Sequence, residues 1–214
     1  MTSDDGASHW WRWHEAYADP DSSLSQRLNA VAARTQQAVQ SAPEGEVRLI
    51  SACAGQAHDV VRALREHPRG DECRGRLVEL DSSNAAVARE SLRREGLDRL
   101  EVVESDAGIT DVYEGATPAN VVLFCGIFGN ITDADVESAV RGVPQLCARG
   151  AEVIWTRHRN SPDLTPQIRR WFEDSGFEEV TFDSPSNLSF AVGTHRLVRT
   201  PPSLRPGVRL FTFR

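Results

Sequence analysis

Two short stretches hold the residues best suited to chemistry. In the first, the β-rich run Val47-Arg-Leu-Ile-Ser-Ala52 empties into Cys53-Ala-Gly-Gln-Ala-His-Asp59, a turn of small residues that leads into a helix. In the second, Arg76-Leu-Val-Glu-Leu80 ends on Asp81 and continues as Ser82-Ser-Asn84. Small residues let a ligand come close to the backbone, and an acid closing the next strand accepts hydrogen bonds from two vicinal sugar hydroxyls. Strand, small turn, helix, strand and acid, in that order, build a nucleotide-type pocket.

Composition removes several competing chemistries. All 24 basic residues are arginine. Without lysine, Schiff-base catalysis, pyridoxal phosphate anchoring and a P-loop are excluded. Cys53, Cys73, Cys125 and Cys147 are widely spaced, with no CxxC pair and no Cys-His cluster at metal-ligand spacing. Reduced thiols and no metal are expected. The formal net charge of −7 argues against a general nucleic-acid binder. No apolar run approaches membrane-spanning length, and the first residues lack the basic-then-apolar pattern of a signal peptide, so a cytoplasmic protein without a membrane partner is expected.

The elements that must position those residues alternate along 214 residues, enough for one domain with a sizeable core. Residues 1–8 read as a polar, disordered tail. Trp10-Trp-Arg-Trp-His-Glu-Ala-Tyr17 follows, and Leu24, Leu28, Val31, Ala32 and Val39 recur at the spacing of an amphipathic helix over 23–40. Strands are expected at 47–52, 76–80, 100–103, 120–125 and 152–156. The run 120–125 is apolar enough to be buried on both faces. Helices are expected at 57–66, 84–95, 133–147 and 165–174, the last two opened by Thr132 and by Thr165-Pro166. Beyond Gly176, strands at 178–182 and 208–213 have no crossover helix between them. A parallel return needs one, so an antiparallel closing pair is expected.

This succession resembles the class I S-adenosyl-L-methionine (SAM)-dependent methyltransferases. The resemblance implies a Rossmann-like α/β fold: a mostly parallel sheet, helices on both faces, an antiparallel C-terminal strand and an N-terminal helical lid. The lid would span 9–44 and the SAM-binding domain 45–214. The family's first motif is an acid followed by alternating glycines. Ser51 stands at the acid position and Cys53, Gly55 and Ala57 at the glycines, so only Gly55 keeps the family residue. The contact that the missing acid makes must weaken, or move to Asp59 or to the backbone after the fourth strand. Asp81, followed by Ser82, matches the ribose position, with Glu79 the less favoured candidate. Asp106 and Ala107 match the adenine position. In Leu123-Phe-Cys-Gly-Ile-Phe-Gly-Asn130, the carbonyls of Cys125 and Gly126 would meet the ligand's amino group, and Phe128 and Asn130 would line the reaction centre. Each piece also has a plainer reading: Gly55 and Gly126 as turn residues, Asp81 as a helix cap, Asp106 as a polar turn residue, Cys53 and Cys125 as packing.

Trp13, His14 and Tyr17 would form a lid that keeps water from the methyl group, with cation–π stabilisation of the sulfonium. The alternative is that these aromatics seal a helix against the sheet. Arg157-His-Arg159 follows the fifth strand, at the edge where open α/β sheets bind ligands. There His158, like His14, is a candidate base, and Arg157 a candidate partner for a substrate carboxylate. The plainer reading of both is a solvated loop. His195 has similar standing, and His58 caps or packs at the first helix of the domain. The function expected is in-line methyl transfer from SAM to O or N of a small molecule. The turn after the fourth strand lacks the Asn/Asp-Pro-Pro-Tyr/Phe pattern of methyltransferases acting on DNA bases or protein amides. Other SAM chemistry and a non-catalytic SAM-binding or interaction module stay open. A nicotinamide dehydrogenase is disfavoured, because the first turn lacks GxGxxG.

Overall fold

Runs such as Leu49-Ile50 and Val121–Phe124 are apolar at consecutive positions because both faces of their sheet are covered. The computed structural model describes Asp19 and residues 22–214. Strands β1 (Val47–Ala52), β2 (Cys73–Glu79), β3 (Leu100–Glu104), β4 (Ala119–Phe124), β5 (Cys147–His158), β6 (Phe177–Asp183) and β7 (Phe190–Leu197) form one seven-stranded sheet. Its order is β3-β2-β1-β4-β5-β7-β6. Strands β1 to β5 pair in parallel, and β7 enters antiparallel between β5 and β6. This is the Rossmann-like arrangement expected, with its antiparallel pair at the far edge.

Helices α1 (Ser23–Ser41), α2 (His58–Leu64) and α3 (Ser82–Arg94) cover one face, and α4 (Asp133–Gly142) and α5 (Thr165–Asp174) the other. Alternate residues of each central strand feed the two cores: Leu49, Val121 and Ile154 pack with α1–α3, while Ile50, Val122 and Val153 pack with α4 and α5. The amphipathic helix expected over 23–40 is α1, capped by Ser22, whose Oγ accepts from the Ser25 N–H (3.0 Å).

Two expectations are corrected. The helix expected over 133–147 stops at Gly142 and continues as a 3-10 turn, Val143–Leu146. Pro144 has no N–H with which to extend an α-helix, and Cys147 already begins β5. The closing strand expected at 208–213 is instead Phe190–Leu197. Its Gly, Thr and His look unlike a buried strand, but they are matched by an aromatic cluster that no local pattern reveals. The Trp155 indole N–H donates to His195 Nδ1 (3.1 Å), and His195 stacks on Phe172 at 4.5 Å between ring centroids. Gly193 lies so close to Trp155 that a Cβ would come within 2.3 Å of its ring. Residues 208–213 instead run past the loops at the carboxyl edge of the sheet, making only isolated bridges, Ile109 with Arg209 and Ile131 with Phe213.

The turn between β1 and α2 is strained. Cys53 (φ 53), Gly55 (φ 54) and Ala57 (φ 60) all adopt the left-handed region. Only glycine does so freely; each of the other two costs about 1–2 kcal/mol. The end of β2 holds the turn, with the Ala54 N–H donating to Val78 O (2.9 Å) and the Gly55 N–H to Glu79 Oε2 (2.7 Å). Cys53→Gly is therefore expected to hold or raise the midpoint of urea unfolding. Cys53→Val, with a β-branched side chain at the same angles, should lower stability by about 1–2 kcal/mol.

Burial lowers the His195 pKa to about 4; the Glu179 charge opposes this, and Arg169 adds to it. An unfolded histidine titrates near 6.5, so on acidification the unfolded chain takes up the proton first. Stability should fall as pH drops from about 6.5 to about 4, by on the order of 3 kcal/mol from this group. Urea titrations across that range should show a shallower loss in His195→Gln than in the wild type.

Candidate functional site

The strand order reverses between β1 and β4, the point at which open α/β sheets leave a crevice beyond their carboxyl ends. A cleft of about 720 Å³ opens there. Its floor is the strained turn, its sides are the loops after β2, β3 and β4, and α1 overhangs it through Arg27, Leu28 and Val31. Phe213 and Arg214, from the segment after β7, complete the wall beside Asn130.

Two acids stand at the end of β2. Glu79 reaches across to the first turn: Oε2 accepts from the Gly55 N–H, while Oε1 accepts from the Asp81 N–H (2.9 Å). Asp81 lines the cleft and also caps α3, its Oδ1 accepting from the Asn84 N–H (2.8 Å). Asn84 Oδ1 in turn accepts from Gln56 Nε2 (3.1 Å), and Gln56 Oε1 pairs with His58 Nε2 (3.1 Å). A continuous polar chain thus joins the turn after β1 to the start of α3.

After β3, Asp106 and Ala107 line the cleft. Asp106 Oδ1 accepts from the Gly108 N–H (2.7 Å), and Oδ2 pairs with Arg209 (2.9 Å). The backbone must pass closely here: a Cβ on Gly108 would meet Phe211 O at 2.3 Å. The Tyr113 hydroxyl donates to Ala107 O (2.7 Å), and burial pushes that phenol well above its ordinary pKa. After β4, the Gly126 N–H donates to Thr156 Oγ1 (2.9 Å), and its carbonyl accepts from Asn130 Nδ2 (2.7 Å). Gly126 has φ +76, and nothing lies within 4 Å of where its Cβ would be. Gly126 lines the cleft.

Asp59 lines the cleft under α1. Burial raises its carboxyl pKa; the hydrogen bond from the Val60 N–H and the charge of Arg27 oppose the shift. Burial also raises Cys125 well above the ordinary thiol value, with the Asp59 charge adding to it, and Cys53 shifts the same way for the same leading reason. Both thiols are neutral wall groups.

The remaining positions singled out from sequence are not gathered in the cleft. Ser51 is buried within β1 beside Leu77 and Leu123, and Ala57 is buried beneath the turn. Ser82 is the exposed first residue of α3. Phe128 packs in the core against Phe124 and Trp155, at 6.1 and 5.9 Å. Arg157 donates to the Phe128 carbonyl and faces Asp133 at 3.8 Å. His158 lies behind the cleft wall at Gly129, where a Cβ would come within 3.4 Å of its Cδ2. Its Nδ1 is buried and has no hydrogen-bond partner among the described residues. Burial, then the Arg157 charge, lowers its pKa. Trp13, His14 and Tyr17 lie outside the described residues. Arg27, Gln56 and Arg214 line the cleft without having been singled out: Arg27 reads as a solvent residue of an amphipathic helix, and Arg214 is far in sequence from every motif. Among the described residues, no cluster of three or more His, Cys, Asp or Glu side chains is arranged to hold a metal, and no helix is long and apolar enough to cross a membrane.

No protein-family model matches the chain, and no curated protein matches it by sequence. Solved structures match it by shape. An O-methyltransferase family protein from Burkholderia thailandensis superposes with a TM-score of 0.64 at 17% identity, over 81% of this chain and 56% of that one. The chain thus spans little more than half of that protein's length. A magnesium protoporphyrin IX methyltransferase from Synechocystis with bound SAM gives 0.70 at 10% identity, over 90% of this chain and 92% of that one. An RNA methyltransferase from Salinibacter ruber in complex with S-adenosylhomocysteine gives 0.54 at 17% identity, over 82% and 96%. With the sheet order and the switch-point cleft, these likenesses establish that the chain has the class I SAM-dependent methyltransferase fold.

Proposed function

We propose that this protein is a SAM-dependent methyltransferase that transfers the methyl group in line to O or N of a small molecule. The observation that supports the reading is the switch-point cleft, lined by Asp59, Glu79, Asp81 and Asp106 and by the loops after β1, β3 and β4. Glu79 and Asp81 offer carboxylates to a ribose at the end of β2. Asp106 and the backbone N–H of Ala107 offer an acceptor and a donor to adenine. The gap at Gly126 admits the amino-acid end, where Asp59 supplies an acid that Ser51 lacks and Arg27 answers a carboxylate. Ser51, Ala57 and Ser82 then support the site from behind.

SAM supplies a methyl carbon on a sulfonium leaving group that is already activated. The chain's work is alignment, with water excluded from the cleft. His158, behind Gly129, is the candidate general base for the acceptor proton, and its lowered pKa favours the neutral form that can accept it. Arg157 and Phe128 position the loop after β4 rather than touch the acceptor. Helix α1 roofs the site through Arg27, Leu28 and Val31. The net charge of −7 and the four carboxylates lining the cleft disfavour a nucleic-acid acceptor and suit a small molecule in the cytoplasm.

Calorimetric titration of SAM and S-adenosylhomocysteine tests the cofactor assignment. Glu79→Ala should lose about tenfold or more in affinity, the scale of a lost hydrogen bond to a charged group, with Asp81→Asn losing less. Absence of binding to the wild type would favour the interaction-module reading. If His158 is the base, the methylation rate should rise with pH through an inflection below about 6.5 and then level. His158→Gln should lower kcat and abolish that inflection; a profile unchanged in the variant assigns the proton to solvent.

A further inference from the structure

We propose that the acceptor is a planar small molecule bearing a carboxylate, and that Arg214 holds that carboxylate on the wall formed with Gly129, Asn130 and Phe213. This rests on the methyltransferase reading and adds the chemistry of the acceptor. Charge placement carries the argument. Among the described residues, two guanidinium groups line the cleft, Arg27 and Arg214. Arg27 belongs to α1 and acts on Asp59 and Cys125, at the turn where the amino-acid end of the cofactor lies. The cofactor has one carboxylate, and Arg27 is placed to meet it.

Arg214 stands apart from that end. Its backbone N–H donates to Asn130 O (3.2 Å), and its neighbour Phe213 bridges to Ile131, so both are tied to the loop after β4. No Asp or Glu carboxylate among the described residues pairs with the Arg214 guanidinium. Nearby arginines are committed: Arg209 to Asp106, Arg157 to the Phe128 carbonyl. Arg157 is also close enough to Arg214 for the two charges to interact: burial lowers the Arg157 pKa, Asp133 opposes this, and Arg214 adds to it. The acids of the cleft, Asp59, Glu79, Asp81 and Asp106, follow β1, β2 and β3, while the loop after β4 has none and is flanked by Arg214.

Phe213 supplies the second element of recognition. Its ring is 40% exposed, and it meets Phe211 edge-on at 5.7 Å. A flat apolar face beside a guanidinium with no Asp or Glu partner among the described residues matches an aromatic or conjugated carboxylate, which would cover the ring and pair with the guanidinium.

The test is calorimetric titration of 4-hydroxybenzoate and 4-hydroxycinnamate, each against its carboxamide, with and without S-adenosylhomocysteine. Wild type, Arg214→Gln and Arg214→Lys are compared. The wild type should prefer each carboxylate over its amide by about tenfold or more; Arg214→Gln should abolish the preference and Arg214→Lys should restore part of it. S-Adenosylhomocysteine affinity should be equal in all three. Carboxylates that bind no better than amides, or a preference that survives in Arg214→Gln, overturns the proposal. So does a fall in S-adenosylhomocysteine affinity in that variant, which would assign Arg214 to the cofactor. Failure of the wild type to bind S-adenosylhomocysteine, with the carboxylate preference intact, would instead reject the methyltransferase reading and leave the anion site standing.

Discussion

The cleft depends on a single carboxylate at the end of β2. Glu79 accepts from Gly55 in the turn after β1 and from Asp81 in the turn that opens α3, so one side chain spaces two loops. The first of those loops is the more demanding. It needs left-handed backbone at three alternate positions, two of which carry a side chain, and its intrinsic preference is to relax elsewhere. Charge-assisted hydrogen bonding from a partly buried site is strong enough to offset that cost. The backbone path characteristic of glycine thus survives the replacement of glycine by Cys53 and Ala57, because neither replacement is large enough to block the turn.

Electrostatics follow from that geometry. Drawing the turn against β2 sets Asp59 beneath α1, where burial raises its carboxyl pKa and Arg27 becomes its counter-charge. Ser51 in β1 carries no acid, and Asp59, in the first turn of α2, lines the cleft. On the opposite side, the segment after β7 brings Arg209 to Asp106 and Arg214 to Asn130. Arg27 and Arg209 thus stand beside acids of the cleft, while Arg214 stands at the loop after β4.

The other half of the sheet is held by a different device. Trp155 of β5, His195 of β7 and Phe172 of α5 stack in succession, and the absence of a side chain at Gly193 makes room for the indole. A neutral histidine in that stack accepts the indole proton, so a polar strand segment is buried without an uncompensated charge. This cluster anchors β7, and β7 carries the antiparallel edge that distinguishes the fold.

Local pattern determined much of this protein. Strands β1 to β6, the five helices and the order of acids and small residues along them follow from periodicity, caps and turn residues, which act over a few positions. The cleft's place was equally legible, because small residues and Asp81 sit where strands end. Tertiary structure alone decided the rest. Glu79 outranks Asp81 as the organiser of the cleft because its hydrogen bonds reach a turn more than twenty residues away, whereas Asp81 is drawn into capping α3. Phe128 and Arg157 turn away from the cleft because the core and a backbone carbonyl claim them. Phe190–Leu197 becomes a buried strand only where Trp155 and Phe172 await it, and Arg214 reaches the cleft only because Phe213 bridges to Ile131. In each case the deciding partner is distant in sequence, and its contribution to the energy exists only once the chain has closed around it.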